Sequence, residues 1–127
     1  MPTVPAAALP SFARVADVDP IARSGEHGGH GPIEFRRLMT QADFAAPVDF
    51  VDVTHVAPGS TIGMHRHDDS EEIYIVLAGE PLVEVDGDER RLRAGDIAVV
   101  HAGGRHALVN DTAQVVTIAV IQLGVSA

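Results

Sequence analysis

The stretch from Gly59 to Gly79 constrains this chain more than any other. It reads Gly59-Ser-Thr-Ile-Gly-Met-His65-Arg-His67-Asp-Asp-Ser-Glu71-Glu72-Ile-Tyr74-Ile-Val-Leu-Ala-Gly79. In an extended strand, residues i and i+2 face the same way, so His65 and His67 can aim both imidazoles at one point. Glu72 follows after a four-residue connection and can return on the next strand. The expectation is a hairpin whose two strands end side by side. Gly59 and Gly79 bracket two strands of similar length. Further on, His106 opens another strand after Gly103-Gly104. Three neutral imidazoles and one carboxylate would make a mixed N/O site suited to Fe, Mn, Co, Ni, Cu or Zn, and poor for Ca or Mg.

The surrounding pattern is that of an all-β domain. Strand signals recur at short spacing over 33–39, 48–56, 61–67, 72–78, 82–85, 90–93, 97–101, 106–110 and 115–122. Asp86-Gly87 between two of them is the strongest hairpin signal. Thr40 to Phe44 reads as a single turn before Pro47. No amphipathic helix of ten or more residues is evident, and short strands with Gly and Pro turns point to a sandwich or small barrel. Aromatic residues make up only 4 %, so Val, Ile, Leu and Ala must supply the core.

Residues 1–31 lack periodicity and read as an N-terminal arm, with residues 32–127 as the barrel domain. Pro2, Pro5 and Pro10 break the start of the chain, which has no basic region of the kind that opens a signal peptide. Ser24 to Gly31 reads as a mobile glycine-rich loop. A length of 127 residues suits one domain. The formal charge of −9, with no basic cluster, argues against nucleic acid or an anionic membrane as the main partner. With no cysteine, thiolate ligands and disulfides are excluded. A cytoplasmic location is the default expectation.

At this point the chain resembles the cupin superfamily. Gly59, His65, His67, Glu72 and Gly79 match the family's first motif. Gly95, Gly103, His106 and Asn110 match the second, and His101 stands where that motif has proline. The likeness is to small bacterial monocupins of the mannose-6-phosphate isomerase-like or oxalate decarboxylase-like cupin 2 type. It implies a double-stranded β-helix, or jelly-roll barrel, with a short irregular N-terminal segment. It also implies one divalent transition metal per chain, held by His65, His67, Glu72 and His106.

Other positions carry two readings each. Tyr74 shares Glu72's face and either reaches the cavity with its phenol or fills the core. His101 either faces the mouth as a base or sits in a turn. Together with Glu72, these two form the candidate catalytic set. His27 and His30 either cap the barrel or are solvated. Glu71 and Arg66 alternate away from the ligands, and His55 lies on an apolar strand. Asn110 reads as a structural polar residue. Arg37 and Arg105 are the cations nearest the expected mouth.

The resemblance further implies a metalloenzyme acting on a small polar metabolite by Lewis-acid or oxygen-dependent chemistry. Isomerase, lyase, cyclase, nitrogen–nitrogen bond-forming and dioxygenase types all fit, natural-product biosynthesis included. The alternative is a metal-containing, small-molecule-binding or sensing protein without turnover. A homodimer through exchanged edge strands, with Ile33 to Met39 as the exchanged segment, is also expected.

Overall fold

The structure is a computed structural model, and it describes residues 8–125. The reading of the first seven residues as leaderless, and the last two residues of the expected barrel domain, lie outside that range. Ten strands account for nearly all regular structure: β1 (Ile21–Ser24), β2 (Pro32–Thr40), β3 (Val48–Val56), β4 (Thr61–Arg66), β5 (Ser70–Ala78), β6 (Leu82–Val85), β7 (Asp88–Arg91), β8 (Ile97–Val100), β9 (Arg105–Val109) and β10 (Val116–Gly124). Single 3-10 turns at Val15–Asp17, Glu26–Gly28 and Gln41–Asp43 punctuate them. The last is the expected turn after Thr40, closed by a capping box in which the Thr40 amide donates to Asp43 at 2.8 Å.

The strands form two sheets. One has the order β1-β2-β3-β10-β5-β8 and the other β4-β9-β6-β7. The core draws on both, with Val56, Tyr74, Val76, Val116 and Ile118 from the first and Ile62, Val83 and Leu108 from the second. Their inner faces therefore pack against each other, giving the jelly-roll barrel expected of the motifs. Burial alternates strictly along β5, where Ser70, Glu72, Tyr74 and Val76 face inward.

Three expectations are corrected. First, β4 and β5 do not pair as a hairpin: β4 pairs with β9, and β5 lies between β10 and β8. The short connection after His67 crosses from one sheet to the other. Second, Ile33 to Met39 is not an edge along its whole length, because β1 covers its first half and β3 lies on the other side. Ile33 to Phe35 is paired on both sides, while Arg36 to Thr40 runs beyond the end of β1 and is paired with β3 alone. Third, regular pairing starts at Ile21 rather than Pro32. At the Asp86-Gly87 turn both residues have positive φ, 50° and 85°, and strand pairing resumes at once at Asp88.

Candidate metal centre

Each donor owes its position to a particular strand. His65 on β4 stands directly opposite His106 on β9. His67 lies just past the end of β4, where its amide donates to Gly104 O at 2.9 Å and its carbonyl accepts from the Gly103 amide at 2.6 Å. Gly103 has φ of 86°, which lets the turn fold back on His67 although His101 replaces the motif proline. Glu72 arrives from β5 in the other sheet. The donor atoms of His65, His67, Glu72 and His106 all lie within 4.8 Å of one another. His106 Nε2 is 3.0 Å from His65 Nε2, 3.1 Å from His67 Nε2 and 3.2 Å from Glu72 Oε1.

This geometry fits a cation. His65 Nδ1 is 2.7 Å from Gly63 O, which can only accept, so the ring carries its proton there and presents a bare Nε2 to the cluster. His67 Nδ1 likewise faces outward to Ser70 Oγ at 3.0 Å. A single proton on His106 Nε2 can serve only one of its three neighbours. The remaining lone pairs face one another at close range, an arrangement that a divalent ion between them would relieve.

Burial sets the electrostatics. It pushes His65 and His106 from their ordinary value down to about 4, and lowers His67 as well. All three imidazoles are therefore neutral donors at pH 7. Burial also raises Glu72, against the pull of His67 and His65. Tyr74 is only 2 % exposed. Its ring stacks on His106 with centroids 4.6 Å apart, and desolvation plus the neighbouring Glu72 carboxylate hold its phenol protonated.

The other candidates scatter. His101 is exposed, and its Nδ1 meets Glu71 rather than the cluster. Arg66 pairs with Asp68, and His55 with Thr117. The Asn110 side chain binds Val56 O, Gln114 O and the Thr112 amide, a structural role. His27 lies against the cluster, with its ring stacked on His65 at 3.7 Å between centroids and 12° between planes.

What sequence reasoning missed is how His27 is held there. The glycine-rich segment is a strap clamped across β4: His30 donates to Thr61 Oγ1, and Thr61 donates back to His30 O. Gly29 and Gly63 permit backbone-to-backbone contact, since a Cβ at Gly63 would fall 2.2 Å from His27 O. Two glycines where two backbones must meet were the available signal. Also missed were Asp52, Phe50 and Arg23, which join Arg37, His27, His67, Glu72 and Tyr74 around a cavity of about 290 Å³. Alternation along β3 from the apolar Val56 would have turned Phe50, Asp52 and Thr54 inward.

Comparison with known proteins agrees with this architecture. The family model described as "Cupin domain" matches residues 52–121. The chain is similar to the oxalate-binding protein of Thermotoga maritima, 28 % identical over 97 residues that cover 76 % of this chain and 80 % of that protein. It is 32 % identical over 97 residues to the polyketide synthase CurC of Streptomyces cyaneus, covering 76 % of this chain but only 60 % of that protein. A crystal structure described as a predicted oxalate decarboxylase from Thermotoga maritima superposes with a TM-score of 0.87 at 23 % identity, over 91 % of this chain and 100 % of the other. That likeness speaks to the fold.

Proposed function

This chain belongs to the cupin domain family, and from that premise we propose a metal-dependent enzyme that acts on a small polar metabolite inside the barrel. The observation that carries the reading is the convergence of three neutral imidazoles and one carboxylate beside the cavity that His67, Glu72 and Tyr74 help to line. A divalent Zn, Fe, Mn, Ni, Co or Cu ion held there would supply Lewis-acid or oxygen-dependent chemistry, stabilising charge that develops on a bound oxygen.

The chain's own groups have separate tasks. His65, His67 and His106 offer unprotonated nitrogens. Glu72 offers a carboxylate whose basicity burial has raised. Tyr74 keeps its proton and is the cavity's buried phenolic donor, available to a substrate oxygen or to Glu72. The exposed position of His101 leaves the proton chemistry to Glu72 and Tyr74. The similarity to the polyketide synthase CurC supports a role in natural-product assembly.

The second reading, binding without turnover, draws on the relative named an oxalate-binding protein. A homodimer is part of the proposal in either case. The open edges of the six-stranded sheet carry Ile21 and Ile97, which are 43 % and 58 % exposed.

Elemental analysis of protein purified without an affinity metal tests the site. About one equivalent of a transition metal is expected, falling at least about tenfold in His106→Ala. Wild-type protein with no metal, or full turnover after stripping, would sink the enzyme reading. Ligand binding without turnover across a metabolite panel would favour the second.

A further inference from the structure

The cavity has a second polar end, built from groups that the metal centre does not use. On β2 and β3, Arg37 and Asp52 are register partners. Arg37 Nε and Nη2 donate to Asp52 Oδ1 and Oδ2 at 2.9 and 3.0 Å, a bidentate pair. Asp52 is 5 % exposed, so this contact fixes the guanidinium from a buried footing. Phe50 fixes it from a second direction, with Arg37 Cζ 4.3 Å from the ring centroid. A guanidinium has five N–H groups, and Asp52 occupies two. Among the described residues, the edge formed by Nη1 and the second hydrogen of Nη2 has no hydrogen-bond acceptor and can take another bidentate partner.

Arg23 on β1 joins this end. Its Cζ lies 5.8 Å from the Phe35 centroid, and Arg37 Cζ lies 5.4 Å from the same ring. Among the described residues, Arg23 has no carboxylate within ion-pair distance, whereas Arg37 has Asp52. At the guanidinium pair itself, two cations share one paired anion, Asp52. Glu26, 3.8 Å from His27, adds a second carboxylate to the cavity wall.

The position relative to the metal centre follows from the register. Arg37, Asp52, Val120 and Tyr74 lie in one row across β2, β3, β10 and β5. Asp52, which holds the Arg37 guanidinium, and Tyr74 are thus two strand spacings apart, about 10 Å along the sheet, and Arg37 itself stands one strand farther. A molecule touching both ends therefore carries its two polar groups several bonds apart.

We infer that Arg37 and Arg23 form a carboxylate-binding subsite at the end of the cavity remote from the histidines. The substrate is then a small acid whose carboxylate lies several atoms from its reacting group. This rests on the reading of the cavity as a substrate site. A carboxylate, planar with two acceptor oxygens, matches the free guanidinium edge. A phosphate, carrying about −1.5 to −2, would meet more repulsion from Asp52, Glu26 and Glu72 on the same wall.

The test is calorimetric titration of metal-replete and metal-stripped protein with α,ω-dicarboxylates of three to six carbons, their monoamides and 3-phosphonopropionate. One dicarboxylate should bind about tenfold more tightly than its monoamide, in stripped protein too. Arg23→Gln, which disturbs no ion pair, should bring that ratio close to one. Arg37→Lys, with its fold checked by circular dichroism, should reduce it as well. Equal binding of acid and amide, no binding of either, tighter binding of the phosphonate, or an unchanged ratio in Arg23→Gln would each overturn the inference. Metal content is read separately. A chain that holds no metal but keeps an Arg23-dependent acid preference would refute the metalloenzyme reading and leave this one standing.

Discussion

His65 and His106 face each other across the β4–β9 pair, with their Nε2 atoms 3.0 Å apart and the His65 proton turned away to Gly63 O. Two register-paired histidines thus present lone pairs to a common point. Their protonation must oppose this arrangement. Each imidazole has an ordinary value of 6.5 when unfolded and about 4 when folded, because burial disfavours the cation.

The metal-stripped protein should therefore lose stability as pH falls through the window from 6.5 to about 4. Below 6.5 the unfolded chain takes up protons that the folded chain refuses, so acid favours unfolding. Each unit of depression corresponds to about 1.4 kcal/mol. Urea midpoints measured from pH 7.5 to 4 with a chelator present will check the slope. A flat profile would contradict the buried neutral pair.

Gly63→Ala should detach the strap. The new Cβ would meet His27 O at 2.2 Å and Gly29 N at 2.7 Å, both backbone atoms that cannot rotate aside. A cost of about 1–3 kcal/mol is expected for such overpacking. Gly59→Ala, where no atom lies within 4 Å but φ is 79°, separates backbone strain from collision. Thermal unfolding of both variants, with histidine ring NMR shifts to follow the His27–His65 stack, makes the distinction.

Truncating the Arg37–Asp52 pair should be asymmetric. In Arg37→Ala, a carboxylate that is 5 % exposed loses both of its donors. In Asp52→Ala, the guanidinium, whose side chain is 40 % exposed, can turn to water. At pH 7 the first should cost about 2–3 kcal/mol and the second about 1 kcal/mol or less. Equal costs at pH 7 would argue against a buried anchor.

Tyr74→Phe should separate chemistry from packing. The ring remains stacked on His106, so stability should change little, while the hydroxyl beside Glu72 is lost. Turnover, once a substrate is known, should fall about 10²-fold if this phenol handles a proton. Tyr74→Ala instead removes a side chain that is 2 % exposed and should cost about 3–5 kcal/mol. Chemical denaturation read beside kcat resolves the two effects.

The donor set and the fold were legible for a local reason. His65 and His67 share a strand face, and Glu72 and His106 stand at fixed steps from glycines that end strands, so spacing along the chain carries the geometry. Which sheet each strand joins is a long-range matter. The connection from His67 to Glu72 is short enough for a hairpin, yet β4 pairs with β9, whose His106 lies far along the chain. The strap was misread because its glycines look like flexibility in isolation and become close contact only when β4 lies beneath them. Arg37 was noticed as a cation near the mouth. Its partner Asp52, an acid within an apolar strand, acquires meaning only from the β2–β3 register.

The two sheets supply unequal shares of the cluster: His65 and His106 come from the four-stranded sheet, His67 from the end of β4, and Glu72 from the six-stranded sheet. An ion taken up there would act as a staple between layers in a chain with no cysteine to form a disulfide. Its grip would follow mass action, adding about 2.7 kcal/mol at one hundred times the dissociation constant. Opening the barrel at this end and losing the ion would then be a single event, so metal supply would govern how long the protein survives as well as what it does.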